Sequence, residues 1–153
     1  MEVRHNLTVA CGQDRLFAWV DDLSNYPQWM TLVHDVNRID PSSEQLPAWD
    51  VELQAKVGPF TRSKRLRMVR TVHEPTSSVV FERREVDGRN HAPWVLAATV
   101  QPDGSDPTSS SIIMELRYEG NLWTGAVLQR VLDDEVRRGS AALVDVVSRE
   151  PTH

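Results

Sequence analysis

The stretch Leu122–Ser148, LWTGAVLQRVLDDEVRRGSAALVDVVS, decides the fold that we predict for this chain. Its apolar residues recur with the period of about 3.6 residues that is typical of an amphipathic helix. The stripe that faces inward comprises Leu128, Leu132, Gly139, Leu143 and Val146. Such a helix is about 40 Å long at about 1.5 Å per residue. A helix of this length in a small chain needs a large sheet to cover its apolar face.

Two residues on the inner stripe are unusual for a packed helix face. Glu135 lies near its centre, and Gly139 follows about one turn later. A buried carboxylate costs free energy unless it is paired or protonated. A glycine lets a ligand, or a bulky side chain from the sheet, approach the helix backbone. Together they suggest that the space beneath this helix is not fully packed, so we include Gly139 among the predicted ligand-binding residues.

The segments before this helix alternate between apolar and polar residues, as strands with one buried face do. The clearest example is Trp49–Val57, in which every second residue is apolar. The other predicted strands are Val3–Val9, Val33–Ile39, Thr61–His73, Val79–Val86, His91–Val100 and Ser111–Tyr118. The polar segment Pro102–Ser111, PDGSDPTSSS, is interpreted as a hairpin loop.

Two short helices are predicted between the first and second strands. Apolar residues from Leu16 to Leu23 have helical spacing and follow a start at Gln13 or Asp14. Ser24-Asn25 and Pro27 then favour a second short helix that reaches about Thr31. The predicted fold is therefore α+β, with a seven-stranded curved antiparallel sheet wrapped around the long C-terminal helix. Residues 1–153 are predicted to form a single domain.

The composition narrows the classes of partner. The net charge of −5 argues against nucleic acid, which favours a basic surface. No run approaches the ~20 apolar residues that cross a bilayer, and the N-terminus lacks the apolar core of a secretory signal. Cys11 is the single cysteine, which agrees with a reducing compartment. We therefore expect a cytoplasmic protein without integral membrane association.

The histidines and the cysteine give no indication of a metal site. The five histidines include no His-x-x-x-His pair, and a single cysteine cannot form a Cys-x-x-Cys pair. We therefore predict neither a metal nor another cofactor.

Several strings resemble the START/polyketide-cyclase-like superfamily, also called SRPBCC, helix-grip or birch-pollen-allergen-like proteins. They include Asp22 followed by Tyr26-Pro27-Gln28-Trp29. The longer strings are VACGQDRLFAWVDDLSNYPQWM (9–30), VGPFTRSKRLRMVRTVHEP (57–75), VVFERREVDGRNHAPW (79–94) and RVLDDEVRRGSAALVDVV (130–147). The resemblance covers nearly the whole chain. It implies a deep cavity between the concave sheet face and the C-terminal helix, used in the family for lipids, sterols, quinones, plant hormones or aromatic polyketide intermediates.

Three polar residues are candidates for chemistry in such a cavity. Arg70 shares the more apolar face of its strand with Leu66, Met68 and Val72, so we expect it to point inward. There it could bind a ligand carboxylate or phenolate, or stabilise an enolate during an aldol cyclisation. Alternatively, a β-bulge turns it outward or an ion pair satisfies it.

The other two polar candidates are Glu135 and Tyr118. Glu135 is the natural partner for a buried Arg70, unless it lies at the edge of the stripe and reaches solvent. Tyr118 could move a proton and, like Trp94, brings a hydrogen-bonding group to an apolar surface.

A set of apolar residues on inward faces is predicted to bind the ligand, with an ordinary packed core as the alternative for each. It comprises Trp29, Leu66, Met68, Trp94, Leu96, Met114 and Leu116. Trp29 is also a candidate for closing the mouth of the cavity. The basic residues Arg62, Lys64, Arg65, Arg67, Arg83 and Arg84 are interpreted as one exposed strand face.

The favoured function is binding of a hydrophobic or aromatic small molecule, lipid-like or polyketide-like, between the sheet and the C-terminal helix. The alternative is a polyketide aromatase/cyclase-type enzyme that orients a poly-ketone chain beside Arg70 and a proton shuttle such as Tyr118 or Glu135. A third hypothesis is a protein-interaction module with a collapsed cavity. We expect a monomer or a homodimer.

Overall fold

Seven strands and three helices make up the fold in a computed structural model, which describes residues 2–40, 46–119 and 126–149. The strands are β1 (Glu2–Val9), β2 (Val33–Arg38), β3 (Ala48–Val57), β4 (Phe60–Glu74), β5 (Ser78–Arg83), β6 (Trp94–Asp103) and β7 (Asp106–Tyr118). The helices are α1 (Gln13–Val20), a 3-10 helix (Leu23–Gln28) and α2 (Ala126–Arg149). The predicted α+β class and element order are confirmed. The predicted start of the last helix at Leu122, and the side chains of Leu128 and Leu132, lie outside the described residues.

The strands form one antiparallel sheet in the order β1-β7-β6-β5-β4-β3-β2. Strands β2 to β6 are each paired with the next strand in the chain, and β1 pairs with β7. The first two strands therefore lie at opposite edges, and α1 with the 3-10 helix joins those edges. Helix α2 contacts β1 and β3, near the two edges, so the curled sheet wraps around it.

The structure corrects the ends of several predicted elements. Strand β5 ends at Arg83 rather than Val86, and β6 begins at Trp94 rather than His91. The polar segment Pro102–Ser111 is mostly strand, because the β6–β7 hairpin needs only the two residues between Asp103 and Asp106. Gly104 makes this tight turn possible with a φ of 62°, a conformation that glycine adopts without steric cost. The second helix is a 3-10 helix that ends at Gln28, before the predicted Thr31.

The C-terminal end of α1 is tied to the rest of the fold by side chains. The last carbonyls of a helix have no partner within it and need other donors. The 3-10 helix and the residue after it supply donors for three: Asn25 Nδ2 to Ala18 O (3.2 Å), Trp29 Nε1 to Trp19 O (3.3 Å) and Tyr26 Oη to Val20 O (2.7 Å). The Tyr-Pro-x-Trp string therefore caps α1.

Aromatic side chains fill one end of the concave sheet face. Trp49 and Phe81 are edge to face with ring centroids 5.5 Å apart, and Phe81 meets Tyr26 at 6.0 Å. Tyr26 in turn lies 4.6 Å from the Trp29 ring. All four side chains are buried. This end of the fold is packed core.

Candidate functional site

An apolar patch covers the middle of the concave face. It consists of Leu66, Met68, Trp94, Leu96 and Leu116, which are all buried. Register explains the grouping, since Leu96 lies opposite Leu116 and cross-strand partners point to the same side of a sheet. Each of these five residues is a predicted ligand-binding residue, and the structure brings them together.

A small apolar void lies against this patch. Its volume is about 30 Å³. The rest of its described lining consists of Leu23, Met30, Leu32, Val33, Val51 and Leu53. A space of this size holds about one water molecule, whereas sites for drug-sized ligands have volumes of about 300 Å³ or more.

Three of the eight predicted ligand-binding residues lie apart from the patch: Met114, Trp29 and Gly139. Met114 is buried on the inner face of β7 between Ala98 and His5, and it does not line the void. Trp29 is 2% exposed and its indole nitrogen caps α1, so it is a core residue rather than a cover for the mouth. The sequence does not separate these roles, because core and pocket residues share one inward face.

Gly139 lies close to Met30, in the segment after the 3-10 helix. A Cβ atom built on it would lie 3.3 Å from Met30 Cγ and 3.4 Å from Met30 Cα. The residue that approaches the helix backbone at Gly139 is therefore Met30, through both its side chain and its backbone. That side chain comes from the connection between the 3-10 helix and β2, not from the sheet.

Arg70 lies on the inner side of β4 and is bound to the end of α1. Its Nη1 donates to Asp21 O at 2.8 Å, and its guanidinium carbon lies 5.9 Å from the centroid of the Trp49 ring. It supplies the fourth side-chain donor to the C-terminal carbonyls of α1, where a cation is also favoured by the helix dipole. The register shift follows Arg70, so Val72, predicted to point inward, is 36% exposed.

Glu135 lies in an outer groove rather than beside Arg70. Its Oε2 accepts a hydrogen bond from Thr31 Oγ1, and its Oε1 lies 3.6 Å from Arg138 Nη1. The predicted Arg70–Glu135 pair is wrong, because each side chain has another partner. The groove has a volume of about 400 Å³ and also contains His34. The Glu135 side chain is 14% exposed, which matches the alternative position at the edge of the stripe.

Tyr118 is the one predicted polar residue that lies next to the apolar patch. Its ring stacks on Trp94 with centroids 4.7 Å apart and an angle of 22° between the planes. The residue is 3% exposed, and burial raises the pKa of its phenol. The three predicted catalytic residues thus lie at three separate places: the end of α1, the outer groove and the edge of the patch.

Sequence reasoning missed a group of charged residues that borders the apolar patch. We call Lys64, Arg83 and Glu85 the inner charged cluster. Arg83 lies opposite Met68, and Lys64 lies opposite Leu53, so both point to the concave side. The predicted single basic face is therefore wrong for these two residues and for Arg62, which lies opposite the inner residue Ala55 but is exposed. The inward orientation of Arg83 could have been predicted from alternation, because Val79, Phe81 and Arg83 occupy every second position of β5 and so share one face.

Arg83 and Glu85 form a buried ion pair within this cluster. Arg83 Nε lies 3.0 Å from Glu85 Oε1, and their side chains are 8% and 19% exposed. Glu85 Oε1 also accepts from the Arg67 backbone N–H at 3.0 Å, and Arg83 Nη1 donates to Ala92 O at 3.3 Å. These bonds fix the pair at the end of β5.

Lys64 lies beside this pair and is partly buried. Burial lowers the pKa of its ammonium, the positive charge of Arg83 lowers it further, and the Glu85 carboxylate opposes both effects. The environment therefore disfavours the charged form of Lys64 unless another negative charge comes close.

The described residues hold no group of three or more His, Cys, Asp or Glu side chains arranged for a metal ion. Within the same ranges, neither α-helix has the length and hydropathy that a membrane span requires.

No family model and no curated protein sequence matches the chain. Solved structures match it at low sequence identity. A START superfamily protein from Mycobacterium smegmatis is 16% identical, with a TM-score of 0.72 and 97% of each chain covered. The Zhui aromatase/cyclase from Streptomyces sp. R1128 is 12% identical, with a TM-score of 0.69 and coverage of 97% of this chain and 94% of that one.

A third match is the di-domain ARO/CYC BexL from the BE-7585A biosynthetic pathway. It is 17% identical, with a TM-score of 0.66, and the match covers 98% of this chain and 48% of BexL. Matches at such low identity establish architecture, since unrelated functions share one fold. The chain has the START/polyketide-cyclase-like, or helix-grip, fold that its sequence strings predict.

Proposed function

We propose that this protein binds a hydrophobic or aromatic small molecule between the apolar patch and α2. The observation that carries the proposal is the composition of the patch, where leucine, methionine and tryptophan form a continuous surface with charged groups at one edge. Small-molecule sites combine such a lining with a few polar groups. The structural similarity to a START superfamily protein and to an aromatase/cyclase supports the same proposal.

The small void means that a ligand must rearrange its surroundings to bind. Met30 and Met68 both line the void, and unbranched methionine side chains repack at low cost. A two-ring aromatic ligand that loses about 300 Å² of apolar surface gains about 7 kcal/mol. Repacking costs about 1–3 kcal/mol and the loss of the ligand's translational and rotational freedom at least about 4 kcal/mol, so a small net gain remains and we expect weak binding.

A fluorescence titration with phenylnaphthylamine, which emits strongly only in apolar surroundings, tests the proposal. We expect saturable binding to the wild-type protein and its loss in Leu116→Trp, which fills the patch. Arg117→Trp is the matched control, because this neighbouring residue is exposed on the other face of β7. It should bind the probe as the wild type does.

Circular dichroism and thermal melting establish that both variants are folded. Should Leu116→Trp not fold, Leu116→Phe, which adds less volume at the same position, replaces it in the same comparison. Absence of saturable binding, or equal binding by both variants, would overturn the proposal. The predicted monomer or homodimer is measured in the same samples by light scattering.

The aromatase/cyclase alternative has one specific observation in its favour. Tyr118 brings a phenol, a hydrogen-bond and proton donor, to the edge of the apolar patch, although burial raises its pKa and so makes it a weaker acid. Arg70 and Glu135 stay predictions as catalytic residues, with contacts that lead away from the patch. The test is cyclisation and dehydration of a poly-ketone thioester followed by mass spectrometry. Tyr118→Phe should abolish that turnover if the alternative holds.

A further inference from the structure

The inner charged cluster has one positive charge more than its internal contacts neutralise. Arg83 and Glu85 compensate each other at 3.0 Å. Among the described residues, none accepts a hydrogen bond from the Lys64 ammonium or lies within ion-pair distance of it. Lys64 is nevertheless partly buried at the edge of the apolar patch, two residues before Leu66 on the same face of β4.

Basic residues on the outer face of the sheet, in contrast, lie near acidic residues. Arg65, the next residue along β4, lies 3.4 Å from Glu52. Arg84, the residue after Arg83, lies 3.9 Å from Glu82. The outer basic residues thus have acidic neighbours across or along the sheet, as expected for a solvated strand face. On the inner face, Arg83 has Glu85 as its acidic partner, whereas Lys64 has no acidic side chain within ion-pair distance among the described residues.

We infer that the ligand carries one anionic oxygen group, a carboxylate, that pairs with Lys64 while its apolar body lies on Leu66 and Leu116. The inference rests on the proposed function and adds the chemical class, an apolar carboxylic acid. An ammonium beside a low-dielectric surface binds an anion more strongly than one in water does. Arg83 contributes through Nη2, since Nε and Nη1 already donate to Glu85 and Ala92.

Two probes with one skeleton test this inference. Anilinonaphthalene sulfonate is phenylnaphthylamine with an added sulfonate, so the pair isolates the effect of the negative charge. We expect the wild-type protein to bind the sulfonate about tenfold or more tightly than the neutral probe, as a charge-assisted contact provides. Lys64→Met should lose that preference and keep its affinity for phenylnaphthylamine. Lys64→Arg, which restores the charge, should retain the preference.

Arg65→Met is the matched control, because it removes the same charge from the adjacent position on the outer face. It should preserve the preference for the sulfonate. Decanoate should displace the bound sulfonate probe at lower concentration than decanol does, which extends the result to a carboxylate.

The outcomes separate the two proposals. Failure of both probes to bind the wild-type protein overturns the proposed function itself. Equal affinity for both probes, or equal loss of sulfonate affinity in Lys64→Met and Arg65→Met, overturns the role of Lys64 and leaves apolar binding intact. A Lys64→Met protein that does not melt cooperatively is replaced by Lys64→Gln in the same comparison.

Discussion

Replacing Arg70 with methionine should destabilise the fold without weakening ligand binding. The change removes the bond from Nη1 to Asp21 O at 2.8 Å and the contact with the Trp49 ring at 5.9 Å. A charged hydrogen bond contributes about 1.5–3 kcal/mol, and the cation–π contact about 0.5–1 kcal/mol. Because Arg70 is partly exposed, contacts with water compensate for part of these two contributions. We therefore expect the free energy of unfolding to fall by about 2 kcal/mol.

Urea denaturation monitored by tryptophan fluorescence measures this loss directly. In a chain of this size, about 2 kcal/mol corresponds to a fall in Tm of about 4–8 °C. Arg67→Met is the matched control, since Arg67 also donates from Nη1 to a backbone carbonyl, Arg84 O, at 2.8 Å. That contact is exposed, so the control should change the free energy of unfolding by about 0.5 kcal/mol or less.

The opposite result would refute this assignment of Arg70. If Arg70→Met matches Arg67→Met in stability and no longer binds phenylnaphthylamine or its sulfonate, the guanidinium contacts the ligand, as the sequence suggested. Similar melting curves for the two variants together with normal binding would contradict both the capping role and the ligand role.

Three further perturbations test the packing and the electrostatics. Tyr26→Phe leaves the Val20 carbonyl without its buried donor and should cost about 1–3 kcal/mol; chemical denaturation checks this, and an unchanged midpoint would contradict it. Gly139→Leu forces a side chain against Met30 and should lower stability by about 1–3 kcal/mol; a Tm equal to that of the wild type would mean that α2 does not pack as described. The pKa of Lys64 is lowered in the folded state. Burying its charge therefore lowers the free energy of unfolding at neutral pH, and this cost disappears as the pH rises through the lowered pKa and the folded protein loses the proton. Lys64→Met should therefore be more stable than the wild type at pH about 7, and the difference should shrink toward pH about 10; a difference independent of pH would argue against a buried charge.

Alternation and helical periodicity predicted the fold well because they reflect which side of each element faces the core. Leu66 and Met68, read as inward from their spacing, do lie in the apolar patch. The segment ends were less predictable. The polar composition of Pro102–Ser111 indicates a loop, yet its pairing with β6 makes most of it strand, because cross-strand hydrogen bonds override local preference.

The charged residues show where sequence reasoning lost information. Arg70 and Arg83 both lie on apolar strand faces, and the sequence singled out only Arg70. Which of them borders the patch depends on what packs above each strand position. Arg70 donates to the Asp21 carbonyl at the end of α1, whereas Arg83 lies opposite Met68 and donates to Ala92 O.

The sequence by itself determined the element order, the inward face of most strands and the long C-terminal helix, since these follow from periodicity within each segment. The tertiary structure alone decided the partners of the polar groups. Arg70 meets a carbonyl 49 residues away, and Glu135 meets a hydroxyl 104 residues away. Local pattern cannot encode such pairings, because they depend on sheet curvature and on where α1 and α2 end in space. The same long-range packing placed Lys64 at the apolar patch and separated it from the exposed basic residues around it.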